Sequence, residues 1–411
     1  MHPDSQPALR RNLRLYQLYS VLFSSMFWLP VFALYIIGRV GLENLLQLEA
    51  IYYMCVVLLE VPSGYFSDRI GRRPTLAIST IALSLAALLF MLGNGFGAFV
   101  LAQILTAVGF AFNSGSDISL HYDSLRALDD EDSFAHLEAI AERNRFLASG
   151  LAALIGGSVA VFDLRLAYLL GVFVNFANLF VVLALREPAA LQQRESFQQA
   201  LQYCLGRLRT PALGWLAGFF LLMTVLNHIP YEFYQPYLSL LAIEGLYPER
   251  YTTLVSGLIM GASMLAGSWF AANSIRLRDH IGIGATLLLA CALQCLVIGV
   301  MGSLLHAAVV LLILLRSVPR GMMMPAFNAA VTPRVDRQHR ATYLSIMSLG
   351  GRLAFSLTLL TLSFFAGEAR DWPSLSRLLL IGLGIGIAGL AILAATLKRA
   401  RPGAVATAAG S

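Results

Sequence analysis

The residues here that can do chemistry are ionisable side chains inside otherwise apolar stretches. Asp117 and His121 stand four residues apart, on one face of a helix, so they can share a proton. The alternative is a helix end already bathed in water. Glu60 precedes Pro62, whose ring frees carbonyls for partners, and is either an interface anchor or a substrate contact. A polar, breakable stretch carries Asn227, His228, Pro230, Tyr231, Glu232 and Pro236, with Glu232 in a cavity or at the outer water boundary. Arg316 and Arg320 flank Pro319, and Arg352 follows Gly350 and Gly351. Arginine stays protonated, so three guanidinium groups at depth need an anionic ligand or pairing with Asp117, Glu60 or Glu142.

That chemistry is proton binding and anion recognition rather than covalent catalysis. No nucleophile or metal constellation is evident, no cofactor is expected, and Cys55, Cys204, Cys291 and Cys295 lack any pairing or CxxC spacing. No G-x-x-x-x-G-K-[ST] loop occurs, so energy is expected from an ion gradient rather than ATP, and a proton fits the carboxylates and histidines. Tyr52-Tyr53 and Met322-Met323-Met324 read as packing or lipid-facing residues.

The elements that must position these groups follow from composition. Of 411 residues 58% are hydrophobic and 13% charged, whereas a soluble domain carries about a quarter charged residues. A water-soluble fold is excluded. Crossing a bilayer takes about 20 apolar residues as a helix, because every backbone amide must be satisfied without water. Apolar runs fall at roughly 15–38, 46–66, 74–92, 97–122, 138–161 and 165–185, and again at 212–240, 251–273, 282–301, 304–327, 341–366 and 374–397. The expectation is an all-α membrane protein with twelve transmembrane helices in two pseudo-symmetric six-helix bundles, 1–186 and 211–411, joined by a cytoplasmic connector, 187–210.

The net charge of +6 reads as topology, since the basic residues are scattered through short loops rather than gathered on a nucleic-acid-binding face. With the N-terminus inside, the inner segments hold Arg10, Arg11, Arg14, Arg69, Arg72, Arg73, Arg126, Arg186, Arg194, Arg207, Arg209, Arg276, Arg278, Arg334, Arg337, Arg340, Lys398, Arg399 and Arg401. The outer loops hold Arg39, Arg165, Arg250 and Arg370. Both termini are therefore expected in the cytoplasm. The basic stretch of Arg10, Arg11 and Arg14 precedes a long apolar run without a cleavage site, which reads as a retained first span. Asp68-Arg69-Ile70-Gly71 recurs as Asp279-His280-Ile281-Gly282, each after the second span of its half, as expected of repeated halves.

One loop carries a longer pattern. After the second span the chain reads Gly64-Tyr65-Phe66-Ser67-Asp68-Arg69-Ile70-Gly71-Arg72-Arg73-Pro74. It resembles the signature loop of the major facilitator superfamily, G-x-x-x-D-R-x-G-R-R, at every fixed position. Gly64 is expected to let helices approach and Gly71 to permit a tight turn. Asp68 is expected to face a helix N-terminus or Arg72. Arg69 and Arg73 sit at the cytoplasmic face, Arg73 as a topology anchor. In the family the loop bridges spans two and eleven when the cytoplasmic side is shut, so the resemblance implies gating for Asp68 and Arg72. His121-Tyr122-Asp123-Ser124-Leu125 resembles the Y-D-S-L stretch of one bacterial branch, where an acid such as Asp123 meets the signature arginine. Glu187-Pro188 also resembles the family. The span-four arginine that relatives carry four residues before a glycine is absent: Leu105 precedes Gly109, and Gln103 is no equivalent.

The resemblance implies a multi-pass protein of the bacterial inner membrane, working as a monomer on a small-molecule substrate with protons as the coupling ion. The leading reading is a secondary active transporter, not an enzyme, performing proton-coupled efflux by alternating access. Import of an anionic metabolite, or a transporter-derived sensor without transport, are the alternatives.

Overall fold

The computed structural model describes residues 5–188, 197–336, 339–367 and 371–402. Arg194, Arg337 and Arg370 lie outside the described residues, as does the 189–196 part of the connector. Among the described residues the chain is almost entirely helical and has no strand. It divides into two compact units, Met1–Gln192 with Arg250–Gly261, and Gln193–Glu249 with Ala262–Ser411.

The first unit holds α1 (Ser5–Ser24), α2 (Phe32–Ile70), α3 (Arg72–Leu92), α4 (Phe96–Asn113), α5 (Ser116–Arg126), α6 (Phe134–Val159) and α7 (Leu164–Ala184). The second holds the connector helix α8 (Phe197–Leu208), then α9 (Pro211–Ile243), α10 (Thr252–Ile281), α11 (Ile283–Ser303), α12 (Val309–Leu314), α13 (Val318–Val331), α14 (Arg340–Ser363) and α15 (Trp372–Ala400). The first turns of α10 belong with the first unit. Among the described residues nine helical segments are long and apolar enough to cross a bilayer. Large apolar side chains such as Leu265, Leu311 and Ile392 point outward and are exposed, which water would penalise and lipid does not. The protein is a multi-pass membrane protein.

Three expected spans are not single helices. Within 15–38, α1 stops at Ser24 and a 3₁₀ turn, Leu29–Val31, intervenes before α2. Pro30 supplies no N–H, its carbonyl accepts a bond from Ser256 Oγ at 2.5 Å, and the Phe27 carbonyl occupies the space a side chain on Gly156 would need. The 39-residue α2 is itself interrupted at Gly41 (φ 84°, ψ 171°), where the first two spans meet. The run at 97–122 splits into α4 and α5 at Gly115, whose φ of 74° suits a residue without Cβ. The run at 304–327 splits into α12 and α13 at Leu315–Ser317, just before Pro319. Both of these splits fall in the fourth span of their half.

The half-repeat has a matching local geometry. Gly71 (φ 113°) ends α2 and Gly282 (φ 84°) ends α10, each turning straight into the next helix. Packing relies on small residues, as expected where apolar side chains gain nothing by leaving lipid. Along α15, Gly382, Gly386 and Gly389 receive Ile229, Leu226 and Leu222 of α9, and a Cβ at any of them would lie 2.6–2.9 Å from those side chains.

Candidate functional site

The signature loop joins α2 to α3, and its charges meet at the helix ends. Arg72 Nη1 lies 2.7 Å from Asp68 Oδ1, four residues back across the Gly71 turn, and Arg72 Nε lies 3.8 Å from Asp123 Oδ2 of α5. Arg72 also donates to Ser67 Oγ at 2.9 Å, and Ser116 Oγ donates to that hydroxyl at 2.9 Å. Glu187 reaches back from the end of α7: its two carboxylate oxygens accept the backbone N–H groups of Arg72 and Arg73 at 2.7 Å each. A carboxylate there caps α3 and answers the positive end of its dipole. Arg73 donates to the Leu183 carbonyl at 2.6 Å, while Arg69 is exposed and donates to Tyr65 Oη at 2.7 Å. Gly71 is doubly constrained, by its positive φ and because a Cβ would stand 2.9 Å from the Glu187 carboxylate. Gly64 corrects the sequence reading. A Cβ there would meet nothing within 4 Å, and the α2–α4 contact is made instead by Ser63 Oγ, donating to the Ala111 carbonyl at 2.9 Å.

A second cluster gathers on Arg145, which sequence reasoning did not single out. From α6 its Nη1 reaches Glu138 at 2.8 Å and Glu142 at 2.9 Å, while Nη2 stands 3.7 Å from Asp117 and donates to Tyr16 Oη at 2.6 Å. Asp117 sits in the first turn of α5. His121, fully buried one turn on, has Nδ1 3.0 Å from Glu138 Oε2 and stacks on Tyr16 with centroids 4.0 Å apart. An ionised Glu138 only accepts, which assigns the proton to Nδ1; Nε2 is buried without a hydrogen-bond partner. Asp117 and His121 are thus linked through Glu138 and Arg145 rather than bonded to each other. Asp117 and Glu142 both pair with Arg145. The signal that was available is Glu138, Glu142 and Arg145 at i, i+4 and i+7 of one helix.

Two further acids lie in α2. Glu60 accepts from Ser114 Oγ at 3.4 Å beside the α4–α5 break. Glu49, also missed, is buried and accepts from Gln103 Nε2 at 2.6 Å.

In the second unit the polar stretch lies on α9. His228 Nδ1 meets the Thr224 carbonyl at 2.6 Å, and its ring lies 4.7 Å from that of Phe355. Asn227 Nδ2 donates to Met323 Sδ at 3.6 Å, while its Oδ1 is buried without a hydrogen-bond partner. Glu232 is buried. Arg316 occupies the α12–α13 break and is 6% exposed. Its guanidinium lies over Tyr234 at 3.9 Å and reaches Tyr231 at 5.9 Å. Arg320 is exposed and forms no ion pair among the described residues. Arg352 is half-buried on α14, beside Gly351, whose missing side chain admits Thr224 of α9.

The sequence profile of the Major Facilitator Superfamily matches residues 145–359, more than half of the chain. The chain belongs to the major facilitator superfamily. Solved structures of this superfamily's transporters share the fold. The nucleoside transporter NupG is 14% identical, covering 96% of this chain and 99% of its own, with a TM-score of 0.77. A bacterial homologue of the lysosomal transporter Spinster is 15% identical over 97% and 98% of the two chains, with a TM-score of 0.68. A D-xylose–proton symporter is 14% identical over 94% and 97%, also with a TM-score of 0.68. At such identities the likeness carries the fold and not the solute. The chain matches no curated protein sequence. Major facilitator membership indicates a transporter, a class generally without enzymatic activity.

Proposed function

We propose that this chain is a proton-coupled secondary transporter of a small organic solute, working by alternating access and running as an exporter. The observation that carries the coupling is the Arg145 cluster. Three carboxylates, Asp117, Glu138 and Glu142, converge on one guanidinium, with His121 hydrogen-bonded to Glu138. The surplus negative charge, with Asp117 buried beside it, is what a proton neutralises. The span-four arginine of relatives is absent, and the cluster places titratable carboxylates in and beside the fourth span instead. The Asp68–Arg72–Asp123 contacts support a gating role for the signature loop, and the Lys/Arg asymmetry supports cytoplasmic termini in an inner membrane.

The test is transport into proteoliposomes under an imposed pH gradient, comparing wild type with Asp117→Asn and Glu138→Gln. A coupling mutant loses gradient-driven accumulation and keeps substrate exchange. Unchanged accumulation in both variants would mean that another group carries the proton or another ion drives the cycle, and the reserve acid is then Glu232. A second reading, uptake of an anion by proton symport, is favoured by one observation, the buried and ion-pair-free Arg316. An inside-negative potential opposes anion entry, and a co-transported proton offsets that charge.

A further inference from the structure

We infer that the second unit carries an oxyanion-binding site centred on Arg316, so that the transported solute bears a carboxylate or a phosphoryl group. This rests on the transport reading above but not on its direction. Arg316 is more than nine-tenths buried, Nη1 has no hydrogen-bond partner, and no acidic side chain among the described residues pairs with it. A buried guanidinium in that state is costly, because arginine cannot shed its proton. Its contact with Tyr234 does not satisfy it. At 3.9 Å the ring supplies a cation–π contact, which uses the flat face of the guanidinium and leaves the in-plane Nη1 without an acceptor. The in-plane N–H groups form the fork that binds a carboxylate or phosphate through two parallel bonds.

The surroundings are built for the same ligand. Arg316 sits in a tight turn, its own N–H bonded to the Ile313 carbonyl at 3.1 Å, immediately ahead of α13, whose N-terminus adds a positive dipole end. Half-helix N-termini pointing at anionic groups are a recurrent device in membrane transporters. The turn is held by α10: a Cβ on Gly267 would stand 2.9 Å from Ser317 Cβ and 3.1 Å from its carbonyl oxygen, so any larger residue there pushes on Ser317, the neighbour of Arg316. On α9, Asn227 lies one turn from Tyr231 and has its own buried carbonyl oxygen without a hydrogen-bond partner. An acceptor one helical turn from Tyr231, itself 5.9 Å from the guanidinium, suits a solute with a hydroxyl or amine donor beside its acidic group. The rings of His228 and Tyr231 follow along α9, with Phe355 of α14 4.7 Å from the His228 ring, which gives the rest of the solute an apolar or aromatic wall.

The experiment uses the full chain, purified into nanodiscs, with benzoate, phenyl phosphate and neutral benzamide as probes, read by calorimetric titration and by thermal unfolding. A ligand of the folded state raises the unfolding temperature in a saturable way. Benzoate or phenyl phosphate should do so and benzamide should not, with the stronger of the two naming the acidic group. Arg316→Gln should weaken the anion roughly ten- to a hundredfold, the range of a charge-assisted hydrogen bond pair. Arg316→Lys, which keeps charge and loses the fork, should retain part of the affinity and serves if the glutamine variant does not fold. Benzamide binding as well as the anions, no binding by either anion, or wild-type anion affinity in the variants overturns the site. Proteoliposome counterflow separates the two readings. A neutral solute moved equally by wild type and Arg316→Lys leaves transport standing and removes the oxyanion site. Anion binding through Arg316 with no flux of any solute does the reverse.

Discussion

At the scale of residues, the two glycines of the signature loop make opposite demands. Gly71 has a positive φ and a Glu187 carboxylate where its Cβ would be, whereas Gly64 faces open space. Gly71→Ala should therefore lower stability by about 1–3 kcal/mol, while Gly64→Ala should be nearly neutral, as thermal unfolding in detergent will test. Equal effects would mean that the loop adopts a different turn. Asp68→Asn removes the 2.7 Å ion pair to Arg72, and we expect transport to fall roughly tenfold or more with expression intact, by analogy with the loss of one partner of a charge-assisted bond. Wild-type rates in both Asp68→Asn and Arg72→Ala would remove the gating role. The loop was legible residue by residue because its spacing is local. The Arg145 cluster was legible only in its α6 part, Glu138, Glu142 and Arg145, because Tyr16 and Asp117 come from α1 and α5, and nothing in the sequence says that they share one place with it.

At the scale of elements, the apolar runs were readable as spans, but the breaks inside them were not. The chain passes from the apolar α4 to the more polar α5 at Gly115, but a lone glycine is tolerated inside a helix, and periodicity does not register where a helix stops for two residues. The α9–α15 seam offers a direct test of packing. Gly386→Ala should destabilise by about 1–3 kcal/mol through overpacking on Leu226 and Cys295, and Leu226→Ala in the same chain should recover part of that loss. A double-mutant cycle with no coupling between the two positions would contradict the seam. The connector helix gives another. Cys204 is fully buried, its thiol donating to the His339 carbonyl at 3.8 Å, and burial pushes the thiol up from its ordinary range. Because the thiolate is the reactive form, maleimide labelling of a chain retaining Cys204 alone should be slow at neutral pH and quicken only at higher pH or on unfolding. Fast labelling at neutral pH would show that α8 leaves its seat against the start of α14.

At the scale of the whole molecule, the same place in each half, the interrupted fourth span, carries a charge of opposite sign: Asp117 after the Gly115 break and Arg316 in the Leu315–Ser317 turn. Arg316 falls in a segment apolar enough to cross the bilayer and Asp117 in the polar helix that continues such a segment, and on the transport reading proposed above both charges feel part of the membrane's electric field. Displacing one elementary charge through the full field is worth about 2.3 kcal/mol per 100 mV. A proton arriving near Asp117 or an anion arriving at Arg316 therefore crosses part of the voltage drop, and its binding becomes a small electrical event. Adding the anion to protein adsorbed on a solid-supported membrane should produce a transient current in wild type, which Arg316→Gln abolishes and Asp117→Asn leaves. A wild-type chain whose flux and currents ignore voltage would mean that neither charge senses the field, and the cell's resting potential would then neither assist nor oppose the cycle.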